Sequence, residues 1–130
     1  MNIAEVSIQL ELSPDTLRYY ERIGLIPPVK RNKSGIRNYD ESDLKWIEFI
    51  SCMRSAGLPI EVLIEYVTLF QEGNATSEAR KNILIEQRDI LAAKLVEMQK
   101  IVERLNYKID TYEKTFMDKE KEMLSGKIGN

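Results

Sequence analysis

Along the first 26 residues, apolar residues recur with the spacing of two short helices. Between Ile3 and Leu10 the apolar residues recur at helical intervals, which predicts a first helix of about two turns. Residues 13–15, Ser-Pro-Asp, are typical of a helix start, with serine as the N-cap and proline at the first helical position. Gly24 and the prolines at 27–28 then predict where this second helix ends. Two short helices joined by a tight turn indicate a helix-turn-helix.

Two further helices are predicted between residues 40 and 70. Asp40 can cap the third helix, and Asp43 stands at the position of a capping-box partner. Gly57 marks the end of that helix, and Pro59 opens a fourth that runs to about Phe70. The first 70 residues therefore predict a small, mainly α domain.

Residues 29–39 link the second helix to the third and predict a small hairpin, which we call the wing. Its centre, residues 32–35 (Asn-Lys-Ser-Gly), favours a turn. The formal net charge of the chain is −2, yet from Thr16 to Arg37 only Glu21 is acidic. Such a local basic segment attracts phosphate whatever the charge of the whole chain. The basic residues of the segment are Arg18, Arg22, Lys30, Arg31, Lys33 and Arg37.

The last third of the chain has the heptad pattern of a coiled coil. No proline or glycine occurs between Asn74 and Gly126, and nine of the ten heptad a and d positions from Leu84 to Phe116 are apolar, Arg88 being the exception. A narrow apolar row on so long a helix favours pairing with a second copy of the chain; the alternative is a helix folded back on its own domain. The predicted dimerisation residues are Leu84, Leu91, Leu95, Met98, Val102, Leu105, Ile109, Tyr112 and Phe116.

These patterns divide the chain into an N-terminal helix-turn-helix domain (1–70), a linker (71–79), a coiled-coil helix (80–117) and a C-terminal tail (118–130) that we expect to be flexible. Composition excludes several functions. The chain has no histidine and one cysteine, so the sequence offers no catalytic constellation, no metal site and no need for a cofactor. It lacks a membrane-spanning apolar run and a signal peptide, which predicts a cytoplasmic protein.

The second helix separates into two faces. Arg18 and Arg22 are four residues apart and share a face with Tyr19, while Leu17 and Tyr20 can supply the buried face. A helix with this outer face fits the major groove, where arginine reaches guanine or a phosphate. On these residues alone, an alternative stays open in which both arginines are merely solvated and Glu21 balances them.

Four motifs, in this order and spacing, resemble the MerR family of transcription regulators. They are residues 17–25 (Leu-Arg-Tyr-Tyr-Glu-Arg-Ile-Gly-Leu), 34–39 (Ser-Gly-Ile-Arg-Asn-Tyr), 43–44 (Asp-Leu) and 56–58 (Ala-Gly-Leu). The resemblance covers about residues 1–70 and identifies them as a DNA-binding domain. The family's long dimerisation helix accounts for most of the remainder. One departure is visible, because residues 10–12 (Leu-Glu-Leu) occupy a turn where the family often has glycine.

The resemblance implies a winged helix-turn-helix domain, an antiparallel coiled coil between two subunits and a two-fold symmetric operator. It also implies a mechanism in which the dimer bends and untwists the overlong spacer of a promoter, so that RNA polymerase meets both promoter elements in register. Carried over by position, the expected DNA contacts are Thr16, Arg18, Tyr19 and Arg22 on the second helix, Arg31, Lys33, Gly35, Arg37 and Tyr39 in the wing, and Arg54 on the third helix.

The single cysteine raises the question of what such a regulator would sense. Metal-responsive members have cysteines that this chain lacks in residues 73–83 and 116–130. The segment from Trp46 to Gly57, with Cys52 in it, is similar to the branch of the family that responds to aldehydes and related electrophiles, in which this cysteine is the proposed sensor. Three alternatives stay open: Cys52 is a small core residue, the regulator does not sense its signal through a thiol, or the chain is a coiled-coil adaptor that binds protein.

Overall fold

The computed structural model describes residues 1–124, and these are predominantly helical. Residues 125–130 of the predicted tail lie outside the described residues. Within residues 1–124, every helix is either too short or too polar to span a lipid bilayer. The helices are α1 (Ile3–Leu10), α2 (Pro14–Ile23), α3 (Glu41–Ser55), α4 (Ile60–Gln71), a single 3₁₀ turn (Asn74–Thr76) and α5 (Ser77–Leu124).

Side-chain caps begin the first three helices, which satisfies backbone N–H groups that have no partner inside a helix. The Ser13 hydroxyl accepts from the Thr16 N–H at 3.1 Å, as the sequence predicts. Asp40 and Asp43 form the predicted capping box of α3, in which each carboxylate accepts from the other residue's N–H at 2.9 Å. The predicted helix starts at residues 14 and 41 are therefore confirmed.

The turn between α1 and α2 keeps a left-handed residue without using glycine. Glu11 ends α1 at φ 55° and ψ 41°, in the left-handed region that glycine usually occupies. The Leu12 N–H donates to the Ser7 carbonyl at 3.2 Å, and the Ser7 hydroxyl donates to the Leu12 carbonyl at 2.5 Å. The departure from the family's glycine thus costs backbone strain of about 1–2 kcal/mol but leaves the turn geometry intact.

One apolar core joins the four short helices. Each helix contributes residues that the 3.6-residue period places on its inner face. Gly24 ends α2 at φ 85° and turns the chain so that the residues that follow it enter the core. The buried apolar residues include Val6, Leu17, Tyr20, Leu25, Ile26, Val29, Ile47, Ile50, Leu63 and Val67.

The wing is a tight loop with a single backbone bridge, between Arg31 and Arg37, and the described residues form no longer strand. Asn32 organises its tip. The Asn32 side-chain oxygen accepts from the N–H groups of Ser34 (2.9 Å) and Ile36 (3.0 Å). Gly35 adopts φ 79°, which a residue with a Cβ rarely does. The predicted hairpin turn is therefore present.

The boundaries after α4 differ from the expected ones. The linker that the sequence predicts at 71–79 is shorter in the structure, because a 3₁₀ turn occupies Asn74–Thr76 and α5 begins at Ser77. The Thr76 hydroxyl donates to the carbonyls of Leu69 (2.6 Å) and Gly73 (2.7 Å), which explains the ordered connection. At the other end, α5 continues to Leu124, so residues 118–124 of the expected flexible tail are helical.

The described chain divides after Gln87 into two units, and most of α5 forms the second. All but one of the predicted dimerisation residues are exposed in the single chain. Their exposed fractions range from 38% at Leu84 to 67% at Tyr112 and Phe116, while Leu91 is half-buried. Most of the predicted apolar row therefore lies open along the helix.

The core position of Leu17 generates a stability prediction. Its side chain is fully buried, so Leu17→Ala should lower the free energy of unfolding by about 2–5 kcal/mol. Ile8, at 82% exposure, is the matched control, and Ile8→Ala should change the free energy by less than about 0.5 kcal/mol. Urea denaturation measures both. Equal losses in the two variants would contradict the core assignment.

Candidate nucleic-acid interface

Helix α2 presents one buried and one exposed face. Leu17 is fully buried and Tyr20 is 8% exposed, whereas Arg18, Tyr19 and Arg22 are exposed. The inward position of Tyr20 is therefore confirmed, and the three polar side chains stand together on the opposite side. This division leaves the guanidinium groups of α2 accessible to a binding partner.

Local contacts hold the two arginines of α2. The Arg18 guanidinium lies 3.0 Å from the Asp15 carboxylate, and the Asp15 side chain is 94% exposed. So exposed a pair contributes little to stability, and a phosphate can replace the carboxylate. The Arg22 guanidinium lies 5.5 Å from the centre of the Tyr19 ring, within cation–π range. Both arginines thus stay in place without being buried.

Glu21 connects α2 to the wing. One oxygen of its carboxylate accepts from the Arg37 Nε–H at 2.6 Å, and the other accepts from the Val29 N–H at 2.9 Å. The Glu21 and Arg37 side chains are only 14% and 23% exposed. Shielding from water strengthens a charge-assisted hydrogen bond. Glu21 therefore does not act as a solvated charge that balances Arg18 and Arg22.

A groove of about 470 Å³ lies between α2 and the wing. Four of its six lining residues are arginines, and they come from two segments that the Glu21 contacts hold together. Convergent guanidinium groups at a concave surface attract anions, above all phosphate. The residues that line the groove are Arg18, Glu21, Arg22, Pro28, Arg31 and Arg37.

The wing tip presents further basic groups. The Arg31 guanidinium donates to the Gly35 carbonyl at 2.9 Å, across the loop. Lys33 is exposed at the tip. Gly35 supplies the turn and, through its carbonyl, the anchor for Arg31. The structure therefore places Arg31, Lys33 and Gly35 together on the exposed wing.

Tyr39 does not fit the contact role that its position predicts. It is 2% exposed, and its hydroxyl is buried without a hydrogen-bond partner in the described part of the chain. Its backbone N–H donates to the Met1 carbonyl at 2.7 Å. Burial raises the pKa of the Tyr39 phenol, and the nearby Arg37 guanidinium opposes this rise. The residue packs the base of the wing onto the core instead of facing solvent, which argues against a side-chain contact to DNA.

Arg37 has a second role beside its predicted contact: its Nε–H donates to Glu21, while its side chain still lines the groove. The remaining predicted contacts have mixed surroundings. The Thr16 hydroxyl lies 2.8 Å from the Ser13 hydroxyl in the first turn of α2. The Arg54 guanidinium donates to the Leu58 carbonyl at 2.9 Å, at the end of α3. Arg54 is exposed and Thr16 is half-buried.

Asp40 and Asp43, the capping pair of α3, lie at the base of the wing, and the pKa values of their carboxyl groups shift in opposite directions. Burial raises the pKa of the Asp43 carboxyl. Hydrogen bonding from the Asp43 N–H lowers the pKa of the Asp40 carboxyl. The pair therefore favours a charged Asp40 at the helix N-terminus, where a carboxylate is stabilised by the helix dipole. Within residues 1–124, no three acidic or cysteine side chains converge as metal ligands do.

The fold and this surface agree with two protein-family models. Residues 1–69 match the MerR helix-turn-helix family of regulatory proteins, and residues 44–107 match a second MerR model described as DNA-binding. The first match covers more than half of the chain. The chain belongs to the MerR family.

Individual relatives agree with this assignment. The transcriptional regulator AdhR of Bacillus subtilis is 69% identical over 91 residues, which are 70% of this chain and 65% of the relative, so the match spans less than two thirds of AdhR. A heavy metal-dependent transcriptional regulator of Haemophilus influenzae is 32% identical over 82% of this chain and 84% of its own length. These relatives are named as regulators, and the chain is a DNA-binding transcriptional regulator of the MerR type.

Solved structures match as well. A MerR family transcriptional regulator from Listeria monocytogenes has a TM-score of 0.92 at 46% identity and covers 99% of this chain and 98% of its own. HiNmlR, a MerR family regulator lacking the sensor domain, was crystallised with promoter DNA. It has a TM-score of 0.79 at 26% identity over 87% of this chain and 90% of its own. One structural neighbour of this MerR family protein is therefore known in a complex with promoter DNA.

Cys52 lies on α3 of this MerR family protein and is exposed in the single chain. The side chain is therefore not the small core residue that one interpretation of the sequence predicts. One turn before it, Phe49 belongs to an aromatic cluster with Trp46, Tyr66 and Phe70, in which the Trp46 and Phe70 rings are 4.9 Å apart. A cavity of about 290 Å³ lies beside this cluster. It is lined by Ser42, Lys45, Trp46, Phe49 and Tyr66.

Sequence reasoning missed the roles of Glu21 and Asn32. Each of these two side chains hydrogen-bonds groups that are close to it in space. For Glu21, one of these groups belongs to Arg37, which is 16 residues away in the chain. The signal that could have found Glu21 is its isolation, since it is the single acid between Thr16 and Arg37. For Asn32 the signal was its place at the start of a turn, where asparagine bonds the backbone two residues on.

The buried hydroxyl of Tyr39 generates the next prediction. Tyr39→Phe should leave the free energy of unfolding at pH 7 unchanged or raise it by up to about 1–3 kcal/mol, because an unpartnered buried hydroxyl is removed. The raised pKa of Tyr39 stabilises the fold below the unfolded pKa of about 10, and this stability is lost as pH rises above it. The wild type should therefore lose more stability than Tyr39→Phe above pH 10.

Urea denaturation at pH 7 and at alkaline pH measures both effects. Because Tyr39 is buried, the variant should also keep the wild-type affinity for DNA. A loss of affinity of about tenfold, with stability unchanged, would restore the contact role that the sequence predicts.

Proposed function

We propose that this MerR family protein is a homodimeric regulator that binds a two-fold symmetric promoter element and distorts its spacer. The observation that carries the proposal is the arginine groove between α2 and the wing, with Leu17 and Tyr20 buried behind it. A concave surface with guanidinium groups from two segments has the chemistry to bind DNA backbone and base edges at once.

The two segments would divide the work of binding. Helix α2 enters the major groove, where the exposed side chains of Arg18 and Arg22 reach base edges or phosphates. Lys33 and Arg31 of the wing bind the adjoining phosphates. Thr16 and Tyr19 add hydroxyl contacts to the backbone, and Arg54 a further phosphate contact from the end of α3.

The exposed apolar row on α5 supports the proposed dimerisation. Residues such as Leu95, Met98 and Val102 are more than half exposed in the single chain, at 57%, 62% and 54%. So long an apolar row is normally covered, and a second α5 has the same length and heptad spacing. Two copies would present two arginine grooves to the two halves of a symmetric site.

The proposed mechanism acts on the shape of DNA. As the resemblance to the family implies, the dimer bends and untwists an overlong promoter spacer, so that RNA polymerase meets both promoter elements in register. Bending a short site costs of order 1–6 kcal/mol, which phosphate contacts on both half-sites have to repay. A basic groove on each subunit supports this.

Salt-dependent binding tests the proposed DNA contacts. Arg18→Ala and Arg22→Ala should each weaken binding to an inverted-repeat promoter fragment by about 1–3 kcal/mol if they read a base edge. If instead they bind phosphates, the slope of log affinity against log salt should become shallower by about 1. Fluorescence anisotropy over a range of salt concentrations distinguishes the two roles.

Arg104→Ala is the matched control, because Arg104 is an exposed arginine on α5 in the second unit. It should leave affinity and salt slope at the wild-type values. If Arg18→Ala and Arg22→Ala bound as tightly as Arg104→Ala, the proposed interface would be wrong.

We further propose that the regulator responds to aldehydes or related electrophiles through Cys52. Cys52 is exposed and is the single cysteine of the chain. Its thiol can add across an aldehyde C=O: the sulfur bonds the carbonyl carbon and the proton goes to the oxygen, giving a hemithioacetal with no change in oxidation state. The adduct would change the packing around α3, on the face that continues to Phe49.

Cys52→Ser tests this response. In the wild type, formaldehyde or methylglyoxal should change output from the cognate promoter, and the variant should show no change while it binds DNA as tightly as the wild type. A reporter assay measures the output, and anisotropy measures binding. Ser51→Ala, at the neighbouring position, is the control and should respond normally. A full response in Cys52→Ser would contradict the proposal, because the response would then not depend on the Cys52 thiol.

A further inference from the structure

The acidic residue on the DNA-facing side of the molecule poses a physical problem. Glu21 lies on α2 between Arg18 and Arg22, and it lines the arginine groove. A carboxylate there repels phosphate, so electrostatics alone would favour its removal. A side chain in that place has to provide something that offsets this repulsion.

The contacts of Glu21 show what it provides. Its two carboxylate oxygens accept from two points of the chain beyond α2: the Val29 N–H at 2.9 Å, where the wing begins, and the Arg37 Nε–H at 2.6 Å, where the wing returns. Val29 is 5% exposed, and Arg37 lies two residues before the buried Tyr39. One carboxylate therefore binds both ends of the wing to α2.

This arrangement changes the role of Arg37. Its Nε–H is used by Glu21, and its backbone pairs with Arg31 in the single bridge of the wing. Arg31 in turn anchors the tip through the Gly35 carbonyl at 2.9 Å. A chain of contacts thus runs from α2 through Glu21 and Arg37 to Arg31. The separation between the cations of α2 and those of the wing depends on Glu21.

We propose that Glu21 is a positioning residue that sets DNA specificity, because it fixes the wing cations at the distance from Arg18 and Arg22 that one operator half-site requires. The inference rests on the proposed function. DNA of any sequence can bind a loose wing, since a mobile lysine finds a phosphate wherever it lies. A site of defined shape binds all the cations at once only when their spacing is set in advance.

The direction in which the affinities for operator and random-sequence DNA change distinguishes a positioning role of Glu21 from a purely electrostatic effect of its charge. Glu21→Gln removes the charge and weakens the bond to Arg37, while its amide oxygen can still accept from Val29. Affinity for random-sequence DNA should rise, because one repulsive charge is lost. Affinity for the operator should fall, so that the ratio of operator affinity to random-DNA affinity drops by about tenfold. Glu21→Ala removes both bonds, and the ratio should drop further.

Asp15→Asn is the charge-matched control. Asp15 also lies on α2 and pairs with an arginine, but its 94% exposed side chain has no contact with the wing. Removing its charge should raise both affinities together and leave the ratio at the wild-type value. Arg37→Gln, which removes the other partner, should lower the ratio as Glu21→Gln does. Anisotropy titrations of operator and random duplexes at one salt concentration give all the ratios, and thermal unfolding identifies any variant that has lost its fold.

Two outcomes overturn the inference. If Glu21→Gln raises both affinities equally, as Asp15→Asn does, then Glu21 is only a charge. If Arg37→Gln keeps the wild-type ratio, the bond between the two residues does not set specificity. Failure of the proposed function is distinguishable, because the wild type itself would then bind operator and random DNA alike.

Discussion

The carboxylate of Glu21 is the contact on which the arginine surface depends. Without it, α2 and the wing would still meet through the core, but no side-chain bond would join their polar surfaces at Arg37, and four arginines would repel one another across the groove. With it, one negative charge lies among them, 2.6 Å from Arg37, in a place where both partners are mostly shielded from water. Hydrogen bonds to charged groups contribute about 1.5–3 kcal/mol when they replace bonds to water. The bond therefore adds to the contacts that order the wing, which include its backbone bridge, the Asn32 side-chain bonds and the buried ring of Tyr39.

The core supplies the second condition, because it decides which side chains remain available. Leu17 and Tyr20 bury one side of α2, and Tyr39 buries the base of the wing. The unpartnered hydroxyl of Tyr39 is a cost that the aromatic ring offsets through buried apolar area. What remains outside is a set of cations with weak local partners. Exposed pairs such as Arg18 with Asp15 exchange readily for phosphate, whereas the shielded pair of Glu21 and Arg37 does not.

The parts that the sequence predicted correctly depend on local signals. The caps at Ser13 and Asp40 and the left-handed Gly24 act within four residues, so composition and spacing reveal them. The family motifs identify the domain but assign roles by position along the chain. Position placed Tyr39 and Arg37 among the wing contacts, although burial removes the first from solvent and a carboxylate 16 residues away engages the second. Contacts of that kind depend on the tertiary fold, and a single sequence without related sequences does not contain them.

The long helix imposes a last constraint. In proteins, a helix owes most of its stability to the packing of its apolar face, and within the described residues 88–124 the second unit consists of α5 alone. Its apolar row, with Leu105 and Ile109 at 56% and 52% exposure, therefore supports the proposed pairing with a second α5. That pairing would serve binding as well as stability. Once one groove had bound DNA, the second would be held near the other half-site at a high effective concentration, so that two weak phosphate-dominated interactions would combine into a tight one. The same coupling would let a change at α3 of either subunit alter how both grooves meet the promoter.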